Sequence, residues 1–310
     1  MTTLDVVVVS YNSRGTLREC VESLSTASDL RVIVVDNASQ DRGVETVEDL
    51  PISIIRLESN GGFAHGCNRG WRAGSAPYVL FLNPDARLQP GASKRLAEVL
   101  EKQPEIGIAA PKIVDSNGEI DYSLRRFPRL RSTYAQAVFL HRVLPRATWT
   151  AEVIRDHDAY TRPFAADWVS GACMLVRREL LQALGGFDEG FFMYCEDKDL
   201  CRRAHDAGFS VLFVPDVVAM HVGGASAPRA AMLPTLVASR IRYEQKHSNR
   251  ITSALARVGI GLGVVTHMIA GRGGASARAG HARALHALVR PKRVRPRGDP
   301  FPSSPIGRQL

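Results

Sequence analysis

The sequence predicts an α/β fold: a mainly parallel, mixed sheet flanked by helices, with a basic helical C-terminal extension. Residues 6–9 form an unbroken apolar run, which is typical of a parallel strand covered on both faces, and residues 31–35 repeat it about 25 positions later. Leu17, Val21 and Leu24 recur between them at helical spacing. This alternation favours a sheet whose ligands bind beyond the carboxyl ends of its strands.

The later elements follow from the same apolar runs and helical spacing. The expected strands are 52–57, 78–82, 106–110, 170–176 and 211–214, and the expected helices lie within 62–74, near 96–100 and 134–143, and at 178–184 and 197–207. Periodicity weakens between residues 112 and 163, where we expect loops around the 134–143 helix. A further amphipathic helix is expected after Arg229, followed by an apolar run that ends at Ala270.

Composition and charge bound the class of protein. The chain has 310 residues, of which 45% are hydrophobic and 23% charged, and this excludes a collagen-like, mucin-like or wholly disordered protein. The net charge of +9 is unevenly spread, because residues 229–310 contain fifteen Lys or Arg and only two acidic residues. The excess positive charge is therefore expected to determine which molecules the C-terminal quarter contacts.

Cysteine use and the terminal sequence indicate the compartment. The five cysteines are odd in number and scattered, which fits a reducing compartment better than a disulfide framework. Residues 1–5 lead straight into the first strand without the features of a signal peptide. The apolar run 258–270 is shorter than the ~20 residues of a spanning helix, so we predict no transmembrane helix.

Polar residues follow the first two predicted strands. Ser10, Tyr11 and Asn12 come after the first strand and Asp36 after the second, so both groups would flank one crevice that suits a ribose or a base. Asn12 and Asp36 would equally serve as helix caps. No G-x-G-x-x-G follows the first strand and no Walker-type loop is present, which disfavours dinucleotide oxidoreductases and P-loop NTPases.

The segment after the third strand combines glycines with an arginine. Gly61, Gly62 and Phe63 would let backbone approach a ligand, and Asn68 and Arg69 follow a few residues later. Arg69 is suited to a diphosphate or a base, although a plain turn is the alternative.

Carboxylates and a histidine mark three further places. Asn83 and Asp85 flank a proline and can present oxygens to one hard cation such as Mg²⁺, or simply form a turn. Glu196 and Asp197 are expected to begin a helix after an aromatic stretch. One of them could act as a general base, or both could simply complement the helix dipole. His221 is expected at the end of a strand, where it would be either a metal ligand together with Asp85 or a structural histidine.

In chain order, these segments resemble an inverting glycosyltransferase of family two with the GT-A fold, most similar to the bacterial rhamnosyltransferase branch. The resemblance covers about residues 4–224 and is carried by segments 9–12, 35–39, 60–63, 68–70, 83–85, 170–172, 186–189 and 196–197, with His221. It implies a nucleotide-sugar-binding half at 1–110, an acceptor-binding and catalytic half at 111–228, and an extension at 229–310.

The resemblance also implies roles for individual residues. Asp36 contacts the nucleoside, Asp85 is the metal-binding acid of the D-x-D motif, and Asp197 is the catalytic base with Glu196 beside it. His221 completes the metal site, which would take Mg²⁺ or Mn²⁺. Asn83 replaces the first acid of D-x-D, which leaves less negative charge on the ion. The acceptor would meet Trp168, Ser170 and Gly171.

The expected partners follow from the same resemblance. The donor would be a dTDP- or UDP-sugar, and the acceptor a lipid-linked or polysaccharide hydroxyl in cell-wall or surface-glycan synthesis. The basic C-terminal quarter suggests a cytoplasmic enzyme at the inner face of the plasma membrane, although a solvated tail is the alternative. The residues that would face anionic lipid are Arg240, Arg242, Lys246 and Arg250, followed by Arg290, Lys292, Arg293, Arg295 and Arg297, and these last five lie outside the residues that the structure describes. A homo-oligomer is compatible with the sequence, and nucleic acid is not expected. The alternative is a non-catalytic nucleotide- or sugar-binding protein on the same scaffold.

Overall fold

A mixed ten-stranded sheet forms the centre of the computed structural model, which describes residues 4–24, 29–223, 229–270 and 274–289. The strands are β1 (Leu4–Ser10), β2 (Leu30–Asp36), β3 (Ser53–Arg56), β4 (Tyr78–Leu82), β5 (Ala86–Leu88), β6 (Ile106–Val114), β7 (Ile120–Asp121), β8 (Leu124–Arg125), β9 (Phe164–Ala166), β10 (Trp168–Val169), β11 (Cys173–Arg177) and β12 (Ser210–His221). The main sheet runs β3-β2-β1-β4-β11-β6-β12-β5, with β7 beside β6 and β9 beside β12, while β8 and β10 pair separately.

The parallel part of the sheet confirms the prediction from the apolar runs. β1 pairs in parallel with β2 and with β4, and β11 enters antiparallel between β4 and β6. Val6 and Val8 of β1 belong to one hydrophobic cluster, and Val7 and Val9 to the cluster on the opposite face. Both faces of β1 are therefore buried, which explains why its sequence does not alternate.

Helices cover both faces of this sheet and build the C-terminal extension. They are α1 (Leu17–Glu22), α2 (Phe63–Ala73), α3 (Ala92–Lys102), α4 (Leu130–Ala137), α5 (Leu140–Val143), α6 (Arg178–Leu184), α7 (Glu196–Asp206), α8 (Arg229–His247), α9 (Arg250–Ala270) and α10 (Gly274–Val289). Helices α8, α9 and α10 share a small hydrophobic core, and α9 also packs on α4.

Three elements differ from the sequence prediction. The helix expected at 134–143 is divided into α4 and α5, because Phe139 adopts a left-handed conformation with φ of 60°. Residues 170–172 precede β11 instead of belonging to it. Strand β12 continues to His221 beyond an irregularity between Val214 and Val218, and there it pairs with the unexpected short strand β5.

Helix α9 is longer than the apolar run suggested. It has 21 residues, because the helix begins at Arg250 instead of near residue 258. Among the described residues it is the one helix that is long and apolar enough to cross a membrane. The expectation that this apolar segment is too short to span a membrane is therefore wrong.

Candidate active site

A cavity of about 290 Å³ opens at the carboxyl ends of β1, β2 and β4, where parallel α/β sheets bind ligands. Ten of the residues singled out from the sequence line it: Tyr11, Gly62, Phe63, Asn83, Asp85, Ser170, Gly171, Glu196, Asp197 and His221. Residues from both halves of the chain meet here, because β11 places the 170–172 segment next to the end of β4.

Asn37 organises the side of the cavity next to the end of β2, although it was not among the predicted site residues. Its side-chain Nδ2 donates to Asn60 Oδ1 at 2.9 Å and to the Gly62 carbonyl at 3.2 Å. Its Oδ1 accepts from the Gly61 amide at 3.1 Å. Asn37 thereby fixes the glycine loop against the end of β2. Its position directly after Asp36, at the end of a predicted strand, was the available sequence signal.

Ser10, Asn12 and Asp36 do not line the cavity. Asn12 has φ of 51°, and its Oδ1 accepts from the backbone amides of Gln40 and Asp41. Asp36 accepts from the Ser39 amide at 3.0 Å, and Ser10 is fully buried. Both side chains therefore bind backbone amides of the turn after β2, and neither caps a helix as the alternative expected.

Gly62 is required by its backbone and by its surroundings. Its φ is 92°, and a Cβ atom at this position would lie 2.1 Å from the carbonyl oxygen of Phe192. The amide of Phe63 donates to that same oxygen at 2.8 Å. This close approach joins the start of α2 to the aromatic loop before α7, and no larger residue would permit it.

Asn68 and Arg69 are placed outside the cavity. The buried Asn68 side chain donates to the Phe187 carbonyl and to Glu189, and its oxygen accepts from the Phe187 amide and the Trp71 indole. All of its hydrogen-bonding capacity is used within the protein. Arg69 lies on the exposed face of α2.

Asp85 and His221 meet because β5 pairs with the end of β12. Asp85 Oδ1 and His221 Nε2 are 3.2 Å apart, and Asn83 Nδ2 lies 3.2 Å from the same nitrogen. Two neighbouring ligands each about 2.1 Å from one octahedral ion lie about 3 Å apart, so the Asp85 oxygen and the His221 nitrogen fit a divalent cation. Among the described residues no three potential ligands of the His, Cys, Asp or Glu type converge, so phosphate oxygens would have to complete the shell.

Carboxylates surround the His221 imidazole on both sides. Its Nδ1 lies 3.9 Å from Asp121 Oδ2, opposite the contact of Nε2 with Asp85. Burial disfavours the charged ring, but Asp121 and Asp85 outweigh it and raise the pKa of His221 to about 9. A cation bound at Nε2 would have to displace a proton there.

Asp197 is held by two backbone amides at the start of α7. Its Oδ2 accepts from the Gly171 amide at 3.0 Å, and its Oδ1 accepts from the Lys198 amide at 2.7 Å. Both Tyr194 and Cys195, just before α7, have left-handed backbone conformations, which turn the chain sharply into the helix. The carboxylate is therefore fixed in position at the cavity wall.

Glu196 differs from its neighbour in environment. It is only 6% exposed, and its Oε2 is buried without a hydrogen-bond partner. Burial, together with the Asp197 carboxylate, raises the pKa of Glu196 well above its usual range. The environment of Glu196 therefore disfavours its charged form, whereas both carboxylate oxygens of Asp197 accept from backbone amides.

Only two of the three residues that were expected to bind the acceptor lie at the cavity. Ser170 and Gly171 line the cavity, but Trp168 does not. The indole of Trp168 donates to the Arg126 carbonyl, and the cationic groups of Arg125 and Lys198 lie over its ring. Trp168 is only 8% exposed, so it supports the wall behind the cavity.

Helix α8 holds the aromatic loop, residues 187–195, that leads to Glu196 and Asp197. Asp188 in this loop pairs with Arg242 at 3.0 Å and with Lys246 at 2.8 Å. Ser239 donates to the Met193 carbonyl at 2.8 Å, and Met232 reaches the cavity itself. The extension is therefore attached to the loop that leads to the cavity wall.

Three of the four basic residues expected to face lipid pair with acidic side chains of the protein instead. Arg240 pairs with Glu152 at 3.4 Å, and Lys246 with Asp199 at 2.7 Å in addition to Asp188. Together with Arg242, they neutralise acidic residues within 111–228. Arg250 is exposed.

The comparisons with known proteins agree with this geometry. A family model for glycosyl transferase family 2 matches residues 5–185. The chain is 33% identical over 234 residues to the N-acetylglucosaminyl-diphospho-decaprenol L-rhamnosyltransferase of Mycobacterium tuberculosis, covering 70% of this chain and 75% of the relative. This chain belongs to glycosyl transferase family 2.

Two further comparisons cover most of this chain and of the matched protein. Rhamnosyltransferase WbbL of Escherichia coli K12 is 26% identical over 230 residues, which cover 70% of this chain and 82% of that relative. The mannosyltransferase PcManGT of Pyrobaculum calidifontis, solved in complex with GDP-Man and Mn²⁺, superposes with a TM-score of 0.54 at 19% identity, over 94% of this family 2 chain and 82% of the other. The GT-A fold expected from the sequence is confirmed.

Proposed function

We propose that this family 2 enzyme transfers rhamnose from a dTDP- or UDP-sugar to a hydroxyl group of a lipid-linked or polysaccharide acceptor, with inversion. The Mycobacterium tuberculosis relative, by its name a rhamnosyltransferase, supports the choice of sugar. The observation that carries the proposal is the Asp197 carboxylate, which two amides hold on the wall of the same cavity that contains Asp85 and His221. A protein that only binds nucleotide would have no use for this fixed base.

Asp197 is assigned the role of general base. The acceptor hydroxyl gives its proton to the Asp197 carboxylate as its oxygen attacks the anomeric carbon from the face opposite the nucleotide. The bond from that carbon to the diphosphate oxygen breaks, and the diphosphate leaves with the electron pair. Glu196 is less suited to this role, because its buried Oε2 has no hydrogen-bond partner and burial raises its pKa well above the usual range.

Asp85 and His221 are assigned to a divalent cation, Mg²⁺ or Mn²⁺. When bound, such an ion stabilises the negative charge that develops on the diphosphate. Asn83 contacts His221 from one side and Asp121 lies on the other, so they orient the imidazole toward Asp85. The structural neighbour solved with GDP-Man and Mn²⁺ supports this assignment.

We place the enzyme at the cytoplasmic face of the membrane. A lipid-linked acceptor would present its hydroxyl at that surface, and the extension has a net charge of +13 that suits anionic lipid. The buried free cysteines fit a reducing compartment. A homo-oligomer remains compatible with this arrangement.

Binding and turnover measured on the same variants test the proposal. A thermal-shift panel of dTDP, UDP, GDP and ADP, with and without Mn²⁺, should show stabilisation by one pyrimidine diphosphate, about 2.7 kcal/mol at 100 times its Kd. Asp197→Asn should keep that shift and lose transfer, whereas Asp85→Ala should lose the part that depends on Mn²⁺. Near-normal turnover of Asp197→Asn would remove it from the base role. If no diphosphate stabilises the chain, the nucleotide-sugar assignment is wrong.

A further inference from the structure

An exposed apolar stripe runs along helix α9. Its large side chains are Ile251, Leu255, Val258, Leu262 and Ile269, and their exposed fractions range from 38% for Leu262 to 74% for Ile251 and Ile269. At 100° per residue, all five lie within about 40° of one line along the helix. Contiguous exposed apolar surface of this kind marks an interaction site.

The opposite face of α9 is attached to the protein along most of its length. Ala256, Gly259, Ile260 and Val264 are buried, and α9 packs against α4, α8 and α10. A Cβ atom on Gly259 would lie 3.0 Å from Thr133, which shows how closely α4 approaches.

Hydrogen bonds extend this attachment toward both ends. The Tyr134 hydroxyl donates to the Leu255 carbonyl at 2.9 Å, and the Thr266 hydroxyl donates to the Ala137 carbonyl at 2.6 Å. A helix fixed in this way cannot cross a bilayer without losing these contacts. Crossing would also place Arg257 within the hydrocarbon, which is costly.

A basic cavity adjoins the stripe. It has a volume of about 560 Å³ and is lined by Arg250, Arg257, Ser248 and Ser253, and Val258 belongs to both the cavity and the stripe. The sequence between Glu244 and Asp299 contains eleven Lys or Arg and no acidic residue. Apolar side chains beside a positively charged, hydroxyl-lined hollow match the acyl region and the phosphates of an anionic lipid surface.

We propose that α9 lies in the plane of an anionic membrane, with its apolar stripe in the acyl boundary and the Arg250 cavity at lipid phosphates. This inference deepens the proposed function. It rests on that function in one respect, because a lipid-linked acceptor would bring the enzyme to a membrane. It replaces the expected lipid-facing surface of α8, whose basic residues pair with Glu152, Asp188 and Asp199.

Sedimentation of the full chain with vesicles tests this surface without donor or acceptor, so its failure would leave the transferase proposal intact. The vesicles contain phosphatidylcholine alone or with phosphatidylglycerol. Val258→Glu should lower partitioning about tenfold on both, equivalent to about 1.4 kcal/mol. Arg250→Gln should lower it about fivefold, and only where phosphatidylglycerol is present. Both residues are exposed, so both variants should unfold at the same temperature as the wild type.

Ser116→Glu is the matched control, because it adds the same charge at an exposed position in a different part of the chain. It should partition as the wild type does. Equal partitioning of Val258→Glu and wild type, or no sedimentation of the wild type, would overturn the proposal. A wild-type dimer that Val258→Glu dissociates, with vesicle binding unchanged, would identify a second copy of the chain as the occupant instead.

Discussion

Removal of the Asp188 charge should weaken the attachment of the aromatic loop to α8. Burial opposes ionisation of Asp188, but the Lys246 ammonium, the Gly190 amide and the Arg242 guanidinium outweigh it and lower the pKa of Asp188 to about 2. Asp188→Asn keeps the shape of the side chain and its acceptor for Gly190, and removes only the charge. The variant therefore isolates the electrostatic part of this contact.

The magnitude follows from the shift in pKa. A fall from 3.8 to about 2 corresponds to about 2.4 kcal/mol. The side chains of Arg242 and Lys246 are 42% and 30% exposed, and solvent screens their interaction with Asp188. We therefore expect Asp188→Asn to lower the free energy of unfolding by about 1 to 2 kcal/mol at neutral pH.

Urea unfolding at several pH values measures this difference. A carboxyl whose folded-state pKa is depressed stabilises the protein above its unfolded pKa, and this stabilisation is lost as the pH falls through the folded value. The gap between wild type and Asp188→Asn should be constant from about pH 7 to pH 5 and shrink below about pH 4.

Asp216→Asn is the control, because Asp216 pairs with Arg95 at the surface, where both side chains are about half exposed. It should cost less than about 1 kcal/mol. A gap for Asp188→Asn that is no larger than that of the control, or that does not change with pH, would refute this account of the loop.

Three further perturbations probe buried acids and the base. Glu196→Gln should be more stable than wild type at neutral pH in urea unfolding, with the gap closing toward pH 4.5, because an acid with a raised pKa loses stability as pH rises. Gly171→Ala places a Cβ atom 3.3 Å from Asp197 Cβ, so kcat should fall about tenfold while the Kd for nucleotide stays unchanged. Asp5→Asn leaves Arg178, paired at 2.6 Å in the core, without its counter-ion and should cost about 3 kcal/mol or more in urea unfolding. Each expectation is wrong if the variant matches wild type.

The position of the site could be predicted from the sequence because parallel strands end at a common edge. The apolar runs locate β1, β2 and β4, so polar residues directly after them, such as Tyr11 and Asn83, had to meet. His221 lies next to Asp85 because the end of β12, beyond its irregular part, pairs with β5. Neither feature has a periodic signal, so the chemistry of the two side chains and the resemblance suggested this pair, and periodicity did not.

The sequence could not predict which of the polar residues near the site reach the cavity and which only support the fold. Asn37 and Asn68 are both buried asparagines near glycines, yet only Asn37 reaches the cavity. Which carbonyl or amide such a side chain finds depends on loop geometry, not on its own sequence neighbours. The pairing of Asp188 with Arg242 joins residues that are 54 positions apart, and composition alone suggested a different partner for that arginine.

The five buried thiols offer a way to follow opening of the molecule. Burial raises the pKa of Cys195 and of Cys201 to about 12, so both remain protonated and shielded in the folded chain. A thiol reagent can therefore modify them only after local or global unfolding. Cys195 ends the loop that α8 holds, whereas Cys173 lies in the central strand β11. The order in which these two positions become modified would show directly whether the aromatic loop opens before the sheet does.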